Sequence, residues 1–194
     1  MTVTMMKNKI EQALAEQYDS VAASLPGGDA VAKARKTAIE RFGEMGLPHR
    51  RIEEWKYTDL RNVLKEPLPL ALGASGVSSN DVSIALGPFS AIEGPRAVFV
   101  DGVFRPELSS LAAVKGLDVM PLSKALATAP EKSASDLVGA AAAVEDGVLA
   151  LNSAYVTDGA VVRVRDKARL AHPLLLVYLQ AGPEARMTAA RNIV

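Results

Sequence analysis

Few side chains in this sequence could carry out catalysis or bind a metal ion. The two histidines, His49 and His172, lie far apart and lack the spacing of a zinc-binding helix, and there is no cysteine to complete a set of ligands. We interpret both as surface or helix-end residues. The sequence also lacks the glycine-rich phosphate loops and the Gly-x-Ser-x-Gly element of serine hydrolases. It therefore predicts no catalytic, cofactor-binding or metal-binding residue.

Carboxylates do not form catalytic arrangements in the sequence. Glu53 and Glu54 are adjacent, so on a helix they point in different directions and cannot act together on one bond. We interpret them as solvated charges or as salt-bridge partners of Arg50 and Arg51. Three further aspartates are each followed by glycine, which is typical of turns or helix starts: Asp101, Asp146 and Asp158.

The segment from Pro48 to Arg61 is the most unusual part of the sequence, because dense charge surrounds the single tryptophan, Trp55, and Tyr57. Two interpretations are open. The block can be an anchor whose rings are buried against a helical hairpin, or a basic–aromatic recognition patch for nucleic acid or a protein partner. Its acidic residues offset its arginines and lysine, and this balance favours the anchor.

Charge and composition exclude several classes of protein. The 194 residues carry 22 lysines and arginines against 22 acids, whereas binders of nucleic acid or anionic membranes need clustered positive charge. The absence of cysteine excludes a disulfide framework, a thiol nucleophile and a protein-thiolate iron–sulfur site in this sequence. The longest apolar run, Leu174–Leu179, is far shorter than the roughly 20 residues of a membrane helix. We expect a cytoplasmic globular protein that binds neither nucleic acid nor a membrane.

The first third of the sequence predicts an antiparallel helical hairpin. Residues 4–25 have apolar side chains at every third or fourth position: Met6, Ile10, Leu14, Tyr18, Val21 and Leu25. Proline and glycine at 26–28 end that helix, and Asp29 is predicted to cap a second helix that runs to Met45. The apolar face of this second helix is Val31, Ala34, Ala38, Phe42 and Met45.

The middle of the sequence predicts short strands and helices. Strand-like runs at 97–100 and 103–105 flank Asp101-Gly102, a pair that is typical of a type I′ β-hairpin. Further along, the sequence predicts a strand at 117–120, a short helix at 121–129, helix or loop at 131–143, and a helix at 144–156 that buries Val148, Leu151 and Tyr155.

Short strands follow one another in the last part of the sequence. Residues 160–165 alternate, so Val162 and Val164 are predicted to face inward; Leu174–Leu179 forms a second strand, and a third is expected near Ala185. Strands about 8–12 residues apart are typical of a β-sandwich, a barrel or a stacked solenoid. Because the sequence ends in a strand-like apolar segment, we expect it to be the first part of a longer chain.

The tryptophan block resembles a signature of the SufB/SufD family of iron–sulfur cluster assembly proteins. Members carry the pattern Arg-x-x-Glu-Glu-Trp-Lys-Tyr-Thr-Asp-Leu near their start, which is matched here from Arg50 or Arg51 to Leu60. A helical start with this block near residue 50 looks more like SufD than SufB. Three later segments are similar to the family in the same order: Val98–Gly102, Leu151–Gly159 and His172–Val177.

The resemblance implies a helical N-terminal region, a central right-handed parallel β-helix and a C-terminal helical part. It also implies a non-ATPase subunit that joins SufB and the ATPase SufC in a cytosolic scaffold on which iron–sulfur clusters are built. A homodimer is a further arrangement we consider. No site residue carries over to this sequence, and no cofactor is expected in it, because the cluster belongs to the level of the complex.

We therefore expect an α+β protein that acts as a non-catalytic SufD-like scaffold subunit. Its expected parts are a helical region with the tryptophan block at 1–66, a mixed connecting region at 67–158, and the first strands of a β-helix at 159–194. The alternative is a β-solenoid enzyme, either a carbohydrate lyase or a hexapeptide-repeat acyltransferase. The small number of aromatic residues and the absence of a six-residue period count against it. A small α+β binding domain complete at residue 194 is a third interpretation.

Overall fold

Helices and strands are mixed along the protein, as the α+β interpretation predicts. The computed structural model describes residues 9–73, 76–111, 113–129, 131–139 and 145–194. The helices in chain order are α1 Lys9–Val21, α2 Asp29–Met45, α3 Leu60–Val63, α4 Ser79–Leu86, α5 Leu122–Thr128, α6 Glu131–Gly139 and α7 Gly147–Tyr155. The strands are β1 Arg96–Val100, β2 Val103–Phe104, β3 Leu117–Pro121, β4 Ala160–Val164 and β5 Leu175–Leu179.

The chain forms two compact units whose segments alternate along the sequence. The first unit contains the described residues of Met1–Pro69 and Ala129–Val156. The second unit contains those of Leu70–Thr128 and Thr157–Val194. The division into consecutive parts at 1–66, 67–158 and 159–194 stays a prediction.

The first unit is built on the two helices that the apolar periodicity predicts. In α1, Leu14 and Tyr18 are buried, and in α2 the predicted face supplies buried Val31, Ala38 and Phe42, so the two apolar faces are confirmed where the structure describes them. Met6, predicted on the first face, lies outside the described residues.

The ends of these helices differ from the sequence prediction in two places. Helix α1 ends at Val21, and a 3₁₀ turn carries the chain on to Ser24. Asp29 is not the cap of α2: Gly28 holds that position, and Asp29 is the first helical residue. There its carboxylate still favours the helix, because the first turn carries partial positive charge.

Helix α7 packs on α2, and two buried polar side chains link it to α1 and to α2. The predicted inward residue Tyr155 donates its hydroxyl to the Leu14 carbonyl over 2.5 Å, and burial raises its pKa. The buried guanidinium of Arg35 donates to the carbonyls of Ala154 and Pro26, at 3.0 Å each. Because the Tyr155 hydroxyl and both terminal nitrogens of Arg35 donate to main-chain oxygens, these hydrogen bonds offset the cost of burying the two side chains.

A three-stranded sheet in the second unit has the order β2-β1-β5. The predicted hairpin between β1 and β2 is confirmed: Asp101 and Gly102 have φ of 48° and 77°, the left-handed conformation that this tight turn requires. Strand β5 runs parallel to β1, with Val98 opposite Val177. Strand β1 is buried on both faces, which explains its continuous apolar sequence.

Strands β3 and β4 form a second, antiparallel pair with Val119 opposite Val162. The inward alternation predicted for β4 is right for Val162 and wrong for Val164, which is 51% exposed at the end of the strand. The third strand predicted near Ala185 is absent from the described residues, where isolated parallel bridges join Ala190 to Asp158 and Ile193 to Val161 instead. The start of a β-helix stays a prediction.

A buried aspartate links the elements of the second unit. The Oδ1 atom of Asp158 accepts from the amides of Ser123 and Gly159, at 2.9 Å each. Its Oδ2 atom accepts from the Ser123 hydroxyl at 2.9 Å and from the Phe104 amide at 3.1 Å. The carboxylate therefore connects the start of α5 with β2 and with the turn into β4. The sequence predicts only a turn residue at Asp158 and does not predict this buried role.

Candidate functional site

The tryptophan block is a compact loop in the first unit. Successive tight turns follow Pro48, with the Ile52 amide donating to the His49 carbonyl at 2.9 Å and the Thr58 amide to the Trp55 carbonyl at 2.9 Å. The Leu60 amide then donates to the Pro48 carbonyl at 3.1 Å, so the two ends of the loop meet. The block is thus held in one shape by its own backbone.

A buried ion pair holds the end of this loop on α1. Glu11, only 4% exposed, accepts through Oε1 from Nε of Arg61 at 2.9 Å and from the Leu47 amide at 2.8 Å. Gly46 has φ of 69°, and a Cβ there would lie 2.7 Å from the same Oε1 atom. Glycine is therefore required at this position both by the backbone and by the carboxylate. No pattern in the sequence identifies Glu11, because its partner lies 50 positions away.

The indole of Trp55 is fixed by the first turn of α7. Its Nε1 donates to Oδ2 of Asp146 at 3.0 Å, while Oδ1 of the same carboxylate accepts from the amides of Val148 and Leu149 at 2.7 and 3.0 Å. Asp146 therefore caps the helix and orients the ring at the same time. The anchor interpretation is right in part for Trp55, which is half-buried but hydrogen-bonded to the start of α7 and not to the helical hairpin. It is wrong for Tyr57, which is 92% exposed.

A groove of about 750 Å³ lies beside Trp55. Apolar contacts come from Met45, Pro48 and Ile52, and the charged lining is four carboxylates and one guanidinium: Glu44, Glu54, Glu145, Asp146 and Arg41. A site with this excess of carboxylates repels phosphate and attracts a cationic group. The charge of this groove therefore disfavours the nucleic-acid version of the recognition-patch interpretation.

The charged residues on the outside of the block pair with one another differently from the sequence prediction. Glu53 contacts Lys56 rather than Arg50 or Arg51, and Arg50 approaches Asp59 at 3.9 Å. Each pair has at least one largely exposed partner, although Asp59 itself is mostly buried, and such surface pairs contribute only about 0–1 kcal/mol. The outside of the block is a solvated surface.

The two histidines are not part of a cluster in the described structure. Nδ1 of His49 accepts from the Arg51 amide at 3.2 Å, and Nε2 of His172 lies 3.9 Å from Oε2 of Glu93. Among the residues that the structure describes, no three histidine, aspartate or glutamate side chains form a group that could hold a metal ion. None of the described helices has both the length and the apolar character needed to cross a membrane.

The chain is similar in sequence to a known protein family. The family model described as the SufBD protein N-terminal region matches residues 8–176, which include the tryptophan block. A Synechocystis protein described as an iron–sulfur cluster assembly SufBD family protein is 30% identical over 162 residues. That match covers 82% of this chain and 35% of the relative, so the chain spans about a third of the length of the curated protein it matches.

Proposed function

The chain belongs to the SufBD family, and from this membership we propose that it is a scaffold subunit in the assembly of iron–sulfur clusters. The observation that carries the proposal is the family match over residues 8–176. Cluster assembly is the activity named in the description of its Synechocystis relative. Within the family we propose a SufD-like subunit that binds SufB-like and SufC-like ATPase subunits in the cytoplasm.

The proposed part of this chain is structural rather than catalytic. Protein-bound iron–sulfur clusters are held mainly by cysteine thiolates, and this sequence has no cysteine. We propose that the cluster is a cargo that the complex builds, and that the residues of this chain contribute surfaces on which other subunits assemble. Pairing with a second copy is an additional arrangement that the purification below would detect.

We further propose that residues 159–194 begin a parallel β-helix. Two parallel pairings support this. Strand β5 runs alongside β1, and the chain after β5 returns to run alongside the start of β4. The returning segment contacts residues 32 positions earlier, as in the hydrogen bonds from Thr157 to Ala189 and from Ala160 to Asn192. A regular return of the chain beside its own earlier strand is how a β-solenoid extends.

Anaerobic co-purification tests the scaffold proposal. The full chain, tagged and co-expressed with SufB-like and SufC-like subunits of the same organism, should retain both through gel filtration. Gly147→Val serves as a control for folding, because a Cβ at Gly147 would lie 1.9 Å from the Gly46 carbonyl oxygen and the variant should lose both partners. Elution of the wild-type chain without either subunit would contradict the proposal.

A further inference from the structure

Two turns meet at one end of the β3–β4 pair. The Leu117 amide donates to the Val114 carbonyl at 3.1 Å, and the Ala168 amide donates to the Arg165 carbonyl at 3.0 Å. The turns are joined because the Arg165 amide donates to the Gly116 carbonyl at 2.8 Å. A Cβ at Gly116 would lie 2.7 Å from that of Ala168, so the turns are in direct contact. The backbone at this end of the sheet is thus firmly held.

Five cationic side chains extend from these turns and the adjoining strand, and together we call them the basic cluster: Lys115, Arg163, Arg165, Lys167 and Arg169. All five residues are exposed. Arg165 is 4.0 Å from Asp118. Within the described part of the chain, the side chains of the other four make no hydrogen bond or ion pair. The chain is formally neutral, so this local excess of positive charge is a feature of the surface and not of the composition.

Lys167 has an unusual backbone conformation. Its φ is 59°, in the left-handed region where a lysine is less favourable than glycine or asparagine. Lys167 therefore occupies a turn position whose backbone conformation favours glycine or asparagine. The corner displays the ammonium group to solvent beside the other members of the basic cluster.

We propose that the basic cluster binds an acidic segment of a partner protein. Fixed cations without internal partners attract carboxylates and steer their approach. Nucleic acid fits less well, because the cluster contains no aromatic ring for stacking on a base. This surface is separate from the family assignment, and the proposal does not depend on the function in cluster assembly.

Binding of a charged probe to the full chain tests this proposal. The probe is a fluorescently labelled glutamate-rich peptide, followed by anisotropy at low salt. The triple variant Arg163→Gln, Lys167→Asn, Arg169→Gln should bind it about tenfold more weakly than the wild-type chain. Asparagine is chosen at 167 because it tolerates positive φ.

A matched triple variant removes three exposed cations elsewhere: Lys33→Gln, Lys36→Gln and Arg51→Gln. It has the same net charge as the first variant and should bind the peptide within about twofold of the wild-type chain. Equal losses in both variants, or no binding of the peptide to the wild-type chain, would overturn the proposal. Tighter binding of a labelled single-stranded oligonucleotide of equal charge would replace the acidic protein partner by nucleic acid. Circular dichroism of each variant verifies that it is folded.

Discussion

The groove beside Trp55 and the basic cluster hold their charged groups in opposite ways. In the groove, carboxylates outnumber cations, and the Asp146 carboxylate is hydrogen-bonded both to the Trp55 indole and to the start of α7. In the basic cluster, cations outnumber carboxylates, and they extend from strand β4 and from turns held by backbone hydrogen bonds. Four of the five cationic side chains have no hydrogen bond or ion pair in the described structure. Charge balance over the whole sequence therefore conceals two local surfaces of opposite sign.

This contrast separates charges that stabilise the fold from charges that are available to a partner. Removing a carboxylate with several internal hydrogen bonds leaves its donors unsatisfied, so the loss appears in the free energy of unfolding. Removing an exposed cation changes the surface potential and leaves the fold nearly unaffected. The substitutions below test this distinction in order of decreasing effect.

Removal of the buried carboxylate at the base of the tryptophan block should have the largest effect. Glu11→Ala leaves the Leu47 amide without its acceptor and removes the carboxylate paired with the Arg61 guanidinium, whose Nε still donates to the Leu47 carbonyl. We expect the substitution to cost about 3 kcal/mol of unfolding free energy. Urea denaturation of the full chain measures this loss. Glu16→Ala, exposed on the same helix, should change stability by less than about 0.5 kcal/mol. Similar losses for the two variants would mean that the buried pair does not hold the block.

Removal of the Asp146 carboxylate should cause the second-largest loss of unfolding free energy. Asp146→Ala removes the cap of α7 and the acceptor of the indole N–H, for an expected loss of about 2 kcal/mol. Because Trp55 is the single tryptophan, its fluorescence should shift to longer wavelength as the ring becomes more exposed. Asp146→Asn keeps a capping side chain and should lose less than half as much. An unshifted emission spectrum in the alanine variant would contradict the assignment of Asp146 as the residue that orients the ring.

The contact between the two turns under the basic cluster should contribute less to the free energy of unfolding than Asp146 does. Gly116→Ala adds a Cβ against Ala168 at φ of 85°, and we expect a loss of about 1.5 kcal/mol. Gly76→Ala is the matched control, since Gly76 has φ of 86° and no atom within 4 Å of a built Cβ, so it isolates the backbone strain from the contact. Thermal unfolding compares the two, and an equal loss would show that the turns do not press on each other.

The smallest effect is expected at Lys167. Lys167→Gly relieves the positive φ but increases the freedom of the unfolded chain, so stability should change by no more than about 0.5 kcal/mol. Chemical denaturation measures it. A large loss would show that the ammonium group stabilises the fold, which would end its role as a charge available to a partner.

Local chemistry explains which parts of the fold the sequence could predict. The apolar face of α2 and the hairpin at Asp101-Gly102 are encoded by neighbouring residues, through helical periodicity and through a turn that requires positive φ. Strand β5 follows from a continuous apolar run with the length of a strand. These elements need no information about distant residues.

The candidate site was only partly predictable because its contacts join distant positions. The composition of the block identified Trp55 as an anchor, but the partner Asp146 lies 91 positions away. Nothing local distinguishes buried Glu11 from the exposed acids of α1, or the buried Asp158 from an ordinary turn residue. The anchor interpretation places Tyr57 in the interior because of its large ring, yet the tight turns around it leave it in solvent.

The proposed role of this chain as a scaffold subunit for iron–sulfur clusters can be measured by cluster formation in vitro. Purified SufB-like and SufC-like subunits, supplied anaerobically with iron, sulfide and ATP, are followed by visible absorbance with and without the full chain. If the chain is a scaffold subunit, adding it should increase the amount of cluster retained by the complex after gel filtration. An identical yield with and without the chain would contradict this role.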